Sequence, residues 1–446
     1  MAQGRFPRSD PVLEYNINSY QPGRIIAVVI RSWTIAGLLA KLCLAQDPDL
    51  VLGEARSRVV QATRKLPRFT CLETVDREYF DTPQVGGVIA PAAQACPAIF
   101  KEPDAEIPQW TDRLRLEVTV ADGREIHAWP TASEFDTRPI EDIVEGPITT
   151  GGFGGYLADV FDNAGTKFTS VGERAANGKK LFEYAYRTPL ASSHYYVGKT
   201  HWLTGHGGWF LIDPGALELV RLVIHTDPLP PWTGACQDHN TIDFHRVPVG
   251  DGQLILPVQA VMQILEPGGT VSKTTSTYSS CHEYQAESTI RFDDADSQQR
   301  GTPAAQRRVP AAVQFTLRTR DTIDFNTAAA GDPIVAHVVR SSNRRALPQG
   351  ATVSGRISVL RHFIGLNRYQ LAFTVETLTV NGVSTRLSAI PQRARTTREA
   401  PAGFRNRGIE LAIPPPESSS QAASFYFPGK ASVVKAGFES LWVTVR

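Results

Sequence analysis

The chain of 446 residues has no surplus of either charge: 46 Lys and Arg stand against 45 Asp and Glu, a formal net charge of +1. That balance argues against a dedicated nucleic-acid surface, which would show as a basic excess, though it leaves room for a local basic patch. There is no Cys-x-x-Cys pair to suggest a thiol metal or redox site, and no Gly-x-Ser-x-Gly turn to present a serine nucleophile. The densest glycine run, Gly151-Gly152-Phe153-Gly154-Gly155, lacks the following Lys-Ser/Thr of a phosphate loop, so it reads as a hinge or lid. Nor is there an unbroken apolar run of the about 20 residues that a membrane-spanning helix needs. What is present is globular in character, with 42% hydrophobic and 20% charged residues and length for two or three domains.

The N-terminus is patterned as an export signal. Arg24 and Arg31 flank Ile25–Ile30, an apolar run Ser32–Ala40 follows, and Ala45, with Cys43 two residues before it, fits a cleavage site before Gln46. Residues 1–45 are therefore expected to be a signal peptide, the alternative being a retained anchor. Cys43 follows Leu42 and not a small residue, so lipidation there is not expected. Cleavage leaves Cys71, Cys96, Cys236 and Cys281, an even number that suggests two disulfides in an exported chain. Of the three pairings, Cys236–Cys281 with Cys71–Cys96 is expected, because Cys236 and Cys281 each sit beside a strand of one sheet. Buried thiols are the alternative.

Leu52, Ala55, Val59, Ala62 and Leu66 recur at intervals of three and four, which predicts a helix after an N-cap at Asp49, stopped by Pro67. Phe69–Phe80 (FTCLETVDREYF) reads as a strand whose charges mark a wet face. Residues 81–112 form an irregular excursion, a flap or binding loop. Leu114, Leu116, Val118 and Val120 alternate toward an Asp122-Gly123 turn. Tyr156, Leu157, Val160 and Phe161 predict a short amphipathic helix that covers a sheet. The central hairpin GWFLIDPGALELVRLVIHTDPLP (Gly208–Pro230) turns on Asp213-Pro214-Gly215. Further strands at Lys167–Glu173, Leu181–Tyr186, Ser193–Lys199, Thr241–Val247, Leu254–Leu265, Thr270–Tyr278 and Glu283–Phe292 bring the total to roughly ten, antiparallel with a helical insert.

Residues 293–310 (DDADSQQRGTPAAQRRVP) lose hydrophobic patterning and read as a linker. Residues 311–446 then alternate as a small β-barrel or sandwich. The fold class is thus mostly β: a curved antiparallel half-barrel with covering helices over 46–292, then the small β domain.

The order of helix, strand FTCLETVDREYF and hairpin Phe210-Leu211-Ile212-Asp213-Pro214 resembles the periplasmic lipoprotein-carrier and lipoprotein-sorting superfamily, in which a half-barrel closes over a greasy cavity. LPRFTC and SSCHEY resemble a group of exported bacterial proteins of unknown function. Ala330-Gly331-Asp332, Leu347-Pro348-Gln349-Gly350-Ala351 and Val353-Ser354-Gly355-Arg356-Ile357 resemble the β-barrel domain of conjugation and type IV secretion pore proteins.

Tyr184, Tyr186, Tyr195, Trp202, Trp209 and Phe210 are the candidate ligand-binding residues, able to line an apolar cavity. Ordinary sheet core is the competing reading. His194, His201 and His206 lie close in sequence, but their spacing does not suit metal ligation on one strand face. His239, Asp243 and His245 could orient a general base, yet no nucleophile in a strained turn accompanies them. The expected function is an exported, non-enzymatic protein that binds a lipid or other apolar ligand, peripheral to a membrane at most, with no cofactor, metal or nucleic acid. The alternative is a structural or interaction protein of the cell envelope or a secretion assembly, with an envelope protein as partner. A hydrolase using His239, Asp243 and His245 is the third class.

Overall fold

Asp47 opens the first helix, α1 (Pro48–Arg64), its carboxylate accepting from the Asp49 N–H, and Pro48 sits in the first turn, where its missing N–H costs nothing. The cap is therefore Asp47 and not Asp49, and the buried stripe is Val51, Ala55 and Val59. The structure, a computed structural model, describes residues 47–80, 96, 107–130, 140–176, 178–198, 200–284, 309–395, 410–412 and 424–445. The expected signal segment, most of the linker, the closing strand beyond 284 and Asn177 of one expected turn lie outside the described residues.

The strands of the first half are β1 (Phe69–Phe80), β2 (Trp110–Ala121), β3 (Arg124–Ala128), β4 (Lys167–Ala176), β5 (Lys179–Thr188), β6 (Tyr195–Val197), β7 (Trp202–Thr204), β8 (His206–Asp213), β9 (Glu218–Thr226), β10 (Gln237–Val249), β11 (Gly252–Leu265) and β12 (Val271–Glu283). Between β3 and β4 lie α2 (Ile140–Ile143) and α3 (Gly155–Phe161). Except for the small β6–β7 hairpin, the strands pair antiparallel in the order β3-β2-β1-β12-β11-β10-β9-β8-β5-β4. This is the mostly β, curved antiparallel architecture, with α1 and α3 packed on its concave face over one apolar core that includes Phe69, Tyr184, Phe210, Leu222 and Ile242. Turn chemistry sets the registers. Asp122 (φ 52°) and Gly123 (φ 74°) both take the left-handed conformation of a two-residue hairpin. Asp213 Oδ1 accepts from the N–H groups of Gly215 and Ala216 at the central turn.

Two expectations need correction. The charges of FTCLETVDREYF do not all lie on a wet face: Glu73 and Arg77 share the buried face with Phe69, Cys71 and Val75. The disulfides are Cys71–Cys281 and Cys96–Cys236, not Cys236–Cys281 with Cys71–Cys96. The reason is topological. β12 returns beside β1, with Leu72 opposite Ser279 and Thr70 opposite His282, so Cys281 arrives next to Cys71. Cys236 instead lies at the far end, its N–H bonded to Leu265 O, where Phe80 and Val271 pack.

The second half comprises β13 (Gln314–Thr319), β14 (Ile323–Asp324), β15 (Pro333–Ser341), β16 (Thr352–Phe363), β17 (Arg368–Val380), β18 (Val383–Arg386), β19 (Ala389–Arg395), β20 (Glu410–Ala412), β21 (Ser424–Pro428), β22 (Val433–Val434) and β23 (Glu439–Thr444). The order is β19-β23-β13-β15-β16-β17, with β18 and β21 on different stretches of β17, and β20 on β21. Phe315, Val353, Phe373, Phe425 and Trp442 belong to its own core. The halves meet along a strand edge: Trp110–Asp112 of β2 pairs with Arg361–Phe363 of β16, and Leu114 bridges Ala330. Arg115 is ion-paired with Asp332 across the join, and the Arg361 guanidinium stands 5.0 Å over the Trp110 ring. Gly331 (φ 103°) is needed there, since a Cβ would come within 2.2 Å of Arg115 O.

Candidate functional site

Alternation along β5 and β8 sends Tyr184, Tyr186 and Phe210 to the concave face, where Phe168 of β4 and Phe161 of α3 meet them. Phe210 lies 5.3 Å from Tyr184, 5.0 Å from Phe161 and 5.8 Å from Phe168, ring centre to ring centre. Tyr184 donates its hydroxyl to Pro48 O, tying the floor to the start of α1, and burial with Asp49 and Asp47 nearby pushes it up to about 12. Tyr195 is also buried, stacked 5.3 Å from Tyr156. Trp209 alternates to the opposite face, under the Arg174 guanidinium at 4.8 Å, and Trp202 is 40% exposed on the β6–β7 hairpin, edge-on to Trp232. Of the six candidate residues, four are thus brought together beneath the helices and two are not. In this structure the side chains of Leu157, Val160 and Phe161 of α3 occupy the space above the floor.

The covering segment is held by two carboxylates. Glu125 of β3 accepts from the N–H groups of Gly151 (2.8 Å) and Phe153 (2.9 Å), and burial raises its pKa against the pull of His127 and those two donors. Phe153 then packs edge-on to Phe69 at 5.6 Å and Tyr278 at 4.9 Å. Asp159 of α3 accepts from His206 Nε2 at 2.9 Å, and from His194 Nδ1 and the His194 N–H at 3.1 Å. Burial opposes ionisation of Asp159, but these bonds outweigh it and bring its pKa to about 2. Two of the three clustered histidines therefore converge on an aspartate, while His201 lies exposed in the hairpin turn. His194, 77% exposed, also lines a cavity of about 230 Å³ with Gly155, Ala158, Asp159, Asp162 and Asn163.

Further along the face, Tyr195 donates to Asp238 Oδ2 at 2.7 Å, and Asn240 Nδ2 donates to both Tyr195 and Asp238. Burial raises Asp238 to about 6, against these donors. Asp159, Asp238 and Glu73 were not singled out in the sequence. The available signal is Asp159 itself, an acid on the apolar side of a short helix beside Val160 and Phe161.

Of His239, Asp243 and His245, the first two make other contacts, and His245 is exposed on β10. Asp243 is bound by Arg221 through Nε and Nη2, and the His239 ring packs 4.3 Å from that of His225. Burial and His225 lower His239 to about 4. Among the described residues no three or more His, Cys, Asp and Glu stand so as to hold a metal ion, and no helix is long and apolar enough to cross a membrane. A cavity of about 420 Å³ opens where Arg115 meets the second half, with Asp321, Asp324 and Asp332 on its wall.

With this geometry the chain belongs in the class of curved antiparallel sheets with helices on the concave face. No protein-family model and no curated protein matches it. Among solved structures it is similar to a LolA superfamily protein from Nitrosomonas europaea, at 10% identity and a TM-score of 0.26, covering 52% of this chain and 94% of that one. It is also similar to a DUF1329 family protein from Desulfovibrio piger, at 10% identity and a TM-score of 0.29, covering 54% of this chain and 95% of that one. A third is an outer membrane lipoprotein-sorting protein domain from Vibrio parahaemolyticus, at 10% identity and a TM-score of 0.27, covering 54% of this chain and 95% of that one. At these scores none of the three bears on what this chain does.

Proposed function

We propose that this chain is an exported, non-enzymatic binder of a lipid or other apolar ligand, held against the concave face beneath the Gly151–Phe161 segment. The observation that carries the reading is an aromatic floor (Tyr184, Tyr186, Phe210) covered by a seven-residue helix that follows a glycine run. A helix that short has little stability of its own and is held by its contacts. The ligand displaces Leu157, Val160 and Phe161 and replaces their burial with its own. At about 25 cal/mol per Å² the net gain comes from the area by which an acyl chain exceeds those side chains. Two disulfides suit a chain that matures in an oxidising compartment.

The test is native mass spectrometry of the protein purified from its own envelope fraction, with lipid extraction alongside. Stoichiometric lipid that is lost on mutating Phe210→Asp supports the reading. Protein that carries nothing and takes up no long-chain alcohol saturably refutes it.

A second reading, an envelope interaction protein, is favoured by one observation. Trp232 (71% exposed) and Trp202 lie edge-on to each other beside and on the β6–β7 hairpin, an exposed aromatic pair of the kind that interfaces use.

A further inference from the structure

Glu73 is a carboxylate without a hydrogen bond. It is 0% exposed, and neither oxygen accepts from any donor, although such a group buried unpaired is costly. The cations nearby do not meet the need. Arg77, four residues on and on the same face, spends Nε and Nη2 on Asp112 and Nη1 on Glu145 O. His127 Nε2 stands 3.5 Å from Glu73 Oε2, beyond good hydrogen-bond length. Opposite Glu73 in the sheet is Tyr278, whose ring packs on Phe153 of the covering segment, so Glu73 lies at the end of the floor that this segment roofs. In that roof Thr149 Oγ1 is likewise buried and unpartnered, and along the face so is Asn240 Oδ1. Glu125 and Asp238 add two more carboxylates to this surface.

We propose that Glu73 is the headgroup anchor of the concave face, and that the ligand is an amphiphile whose polar end is a protonated amine. This rests on the reading of the face as an apolar-ligand site and adds the chemistry of the ligand's other end. A primary ammonium brings three donors and a positive charge to a buried carboxyl group whose two oxygens accept no hydrogen bond. An acyl carboxylate would meet Glu73 with like charge, and an alcohol would satisfy one oxygen at most. Entry needs Phe153 to leave Tyr278, the same movement that uncovers Tyr184 and Phe210.

The experiment uses the full, oxidised chain and a fluorescent apolar probe displaced by dodecylamine, dodecanol or dodecanoate at equal chain length. Dodecylamine is expected to bind about tenfold tighter than dodecanol, and dodecanoate weakest. Glu73→Gln is expected to bring the amine-to-alcohol ratio to about one with dodecanol unchanged, and Glu73→Asp to keep part of the preference. Equal binding of all three by the wild type overturns the headgroup assignment and leaves the apolar reading standing. No saturable binding of any of them overturns both. A preference that persists in Glu73→Gln overturns the role of Glu73. Should Glu73→Gln fail to fold, the wild type decides. An amine preference that survives about 0.5 M salt is that of a buried pair, and one that vanishes is surface adsorption and overturns the proposal.

Discussion

Asp238 makes the protein's stability depend on pH in a direction opposite to most surface carboxylates. The side chain is buried on β10, Oδ2 accepting from Tyr195 and Oδ1 from Asn240, and burial raises its pKa from 3.8 to about 6. A carboxyl with a raised pKa binds more protons in the folded than in the unfolded state between those values. Unfolding free energy must therefore fall as pH rises from about 4 to 6, and stay lowered above that. The distance between the two pKa values is worth about 3 kcal/mol. Asp159 acts in another window. Its pKa, lowered to about 2, gives stability that is complete above 3.8 and lost only as pH falls toward 2, so it does not mask the effect.

Asp238→Asn copies the protonated side chain in shape and keeps one carbonyl acceptor for Asn240. One of its amide hydrogens faces the Tyr195 hydroxyl, a mismatch costing about 1 kcal/mol at every pH. The expected result of urea unfolding, followed by tryptophan fluorescence under non-reducing conditions, is a difference between variant and wild type that swings by about 2.4 kcal/mol between pH 4 and 7.5. The variant is slightly less stable in acid and more stable near neutrality. Glu125 and Glu266 are also raised, chiefly by burial, but they are common to both proteins and cancel in the difference. A difference that stays flat across this range, or that swings the other way, would refute the burial of an ionisable Asp238 against Tyr195.

Three further outcomes follow from the packing. Peptide mapping of the unreduced protein should recover Cys71 with Cys281 and Cys96 with Cys236, and no peptide joining Cys236 to Cys281; replacing the Cys71–Cys281 pair, whose partners are 210 residues apart, should cost about 5 kcal/mol in the loop-entropy account. Arg77 and Asp112 form a bidentate pair with side chains only 2% and 4% exposed, so Arg77→Met or Asp112→Leu alone should cost about 3–5 kcal/mol, and the double replacement should recover most of that in denaturant titrations. Gly331→Ala should cost about 3 kcal/mol, because its φ of 103° disfavours a side chain and its Cβ would strike Arg115 O; a thermal midpoint equal to wild type would mean that the join between the halves is looser than described.

The mostly β character and the main hairpins were legible because each is marked locally, while short strands such as β7, β14 and β20 carry no such mark. Asp122-Gly123, Asp213-Pro214-Gly215 and Asn381-Gly382 are turns whose chemistry is complete within a few residues, and alternation between them needs no partner to be seen. Disulfide pairing was not legible in the same way. It depends on β12 returning to lie beside β1, about 200 residues earlier, and nothing near Cys281 says which strand it will meet. The candidate aromatic residues show the same limit at shorter range. Tyr184, Tyr186 and Phe210 alternate inward and Trp209 outward, a division the spacing contains, but which of the two sets faces the core depends on where α1 and α3 dock.

β1 carries this argument furthest. In FTCLETVDREYF one face holds Phe69, Cys71, Glu73, Val75, Arg77 and Tyr79, and the other Thr70, Leu72, Thr74, Asp76, Glu78 and Phe80. Each face mixes apolar and charged residues, so period-two reasoning assigns residues to faces without deciding which face is inside. The decision is made by neighbours far along the chain. Leu114, Leu116 and Val118 of β2, together with Tyr278 of β12, place their side chains on the first face and enclose it. Arg77 then survives burial because Asp112 arrives opposite it in the same register. Glu73 has no such partner opposite, only Leu116 on one side and Tyr278 on the other. A chain selected for stability alone would place an apolar side chain at this position, as it does at Cys71 and Val75 on either side. Glu73, buried without a hydrogen bond, is thus a local inconsistency in an otherwise consistent strand, and the amine-binding role proposed for it would account for its presence there.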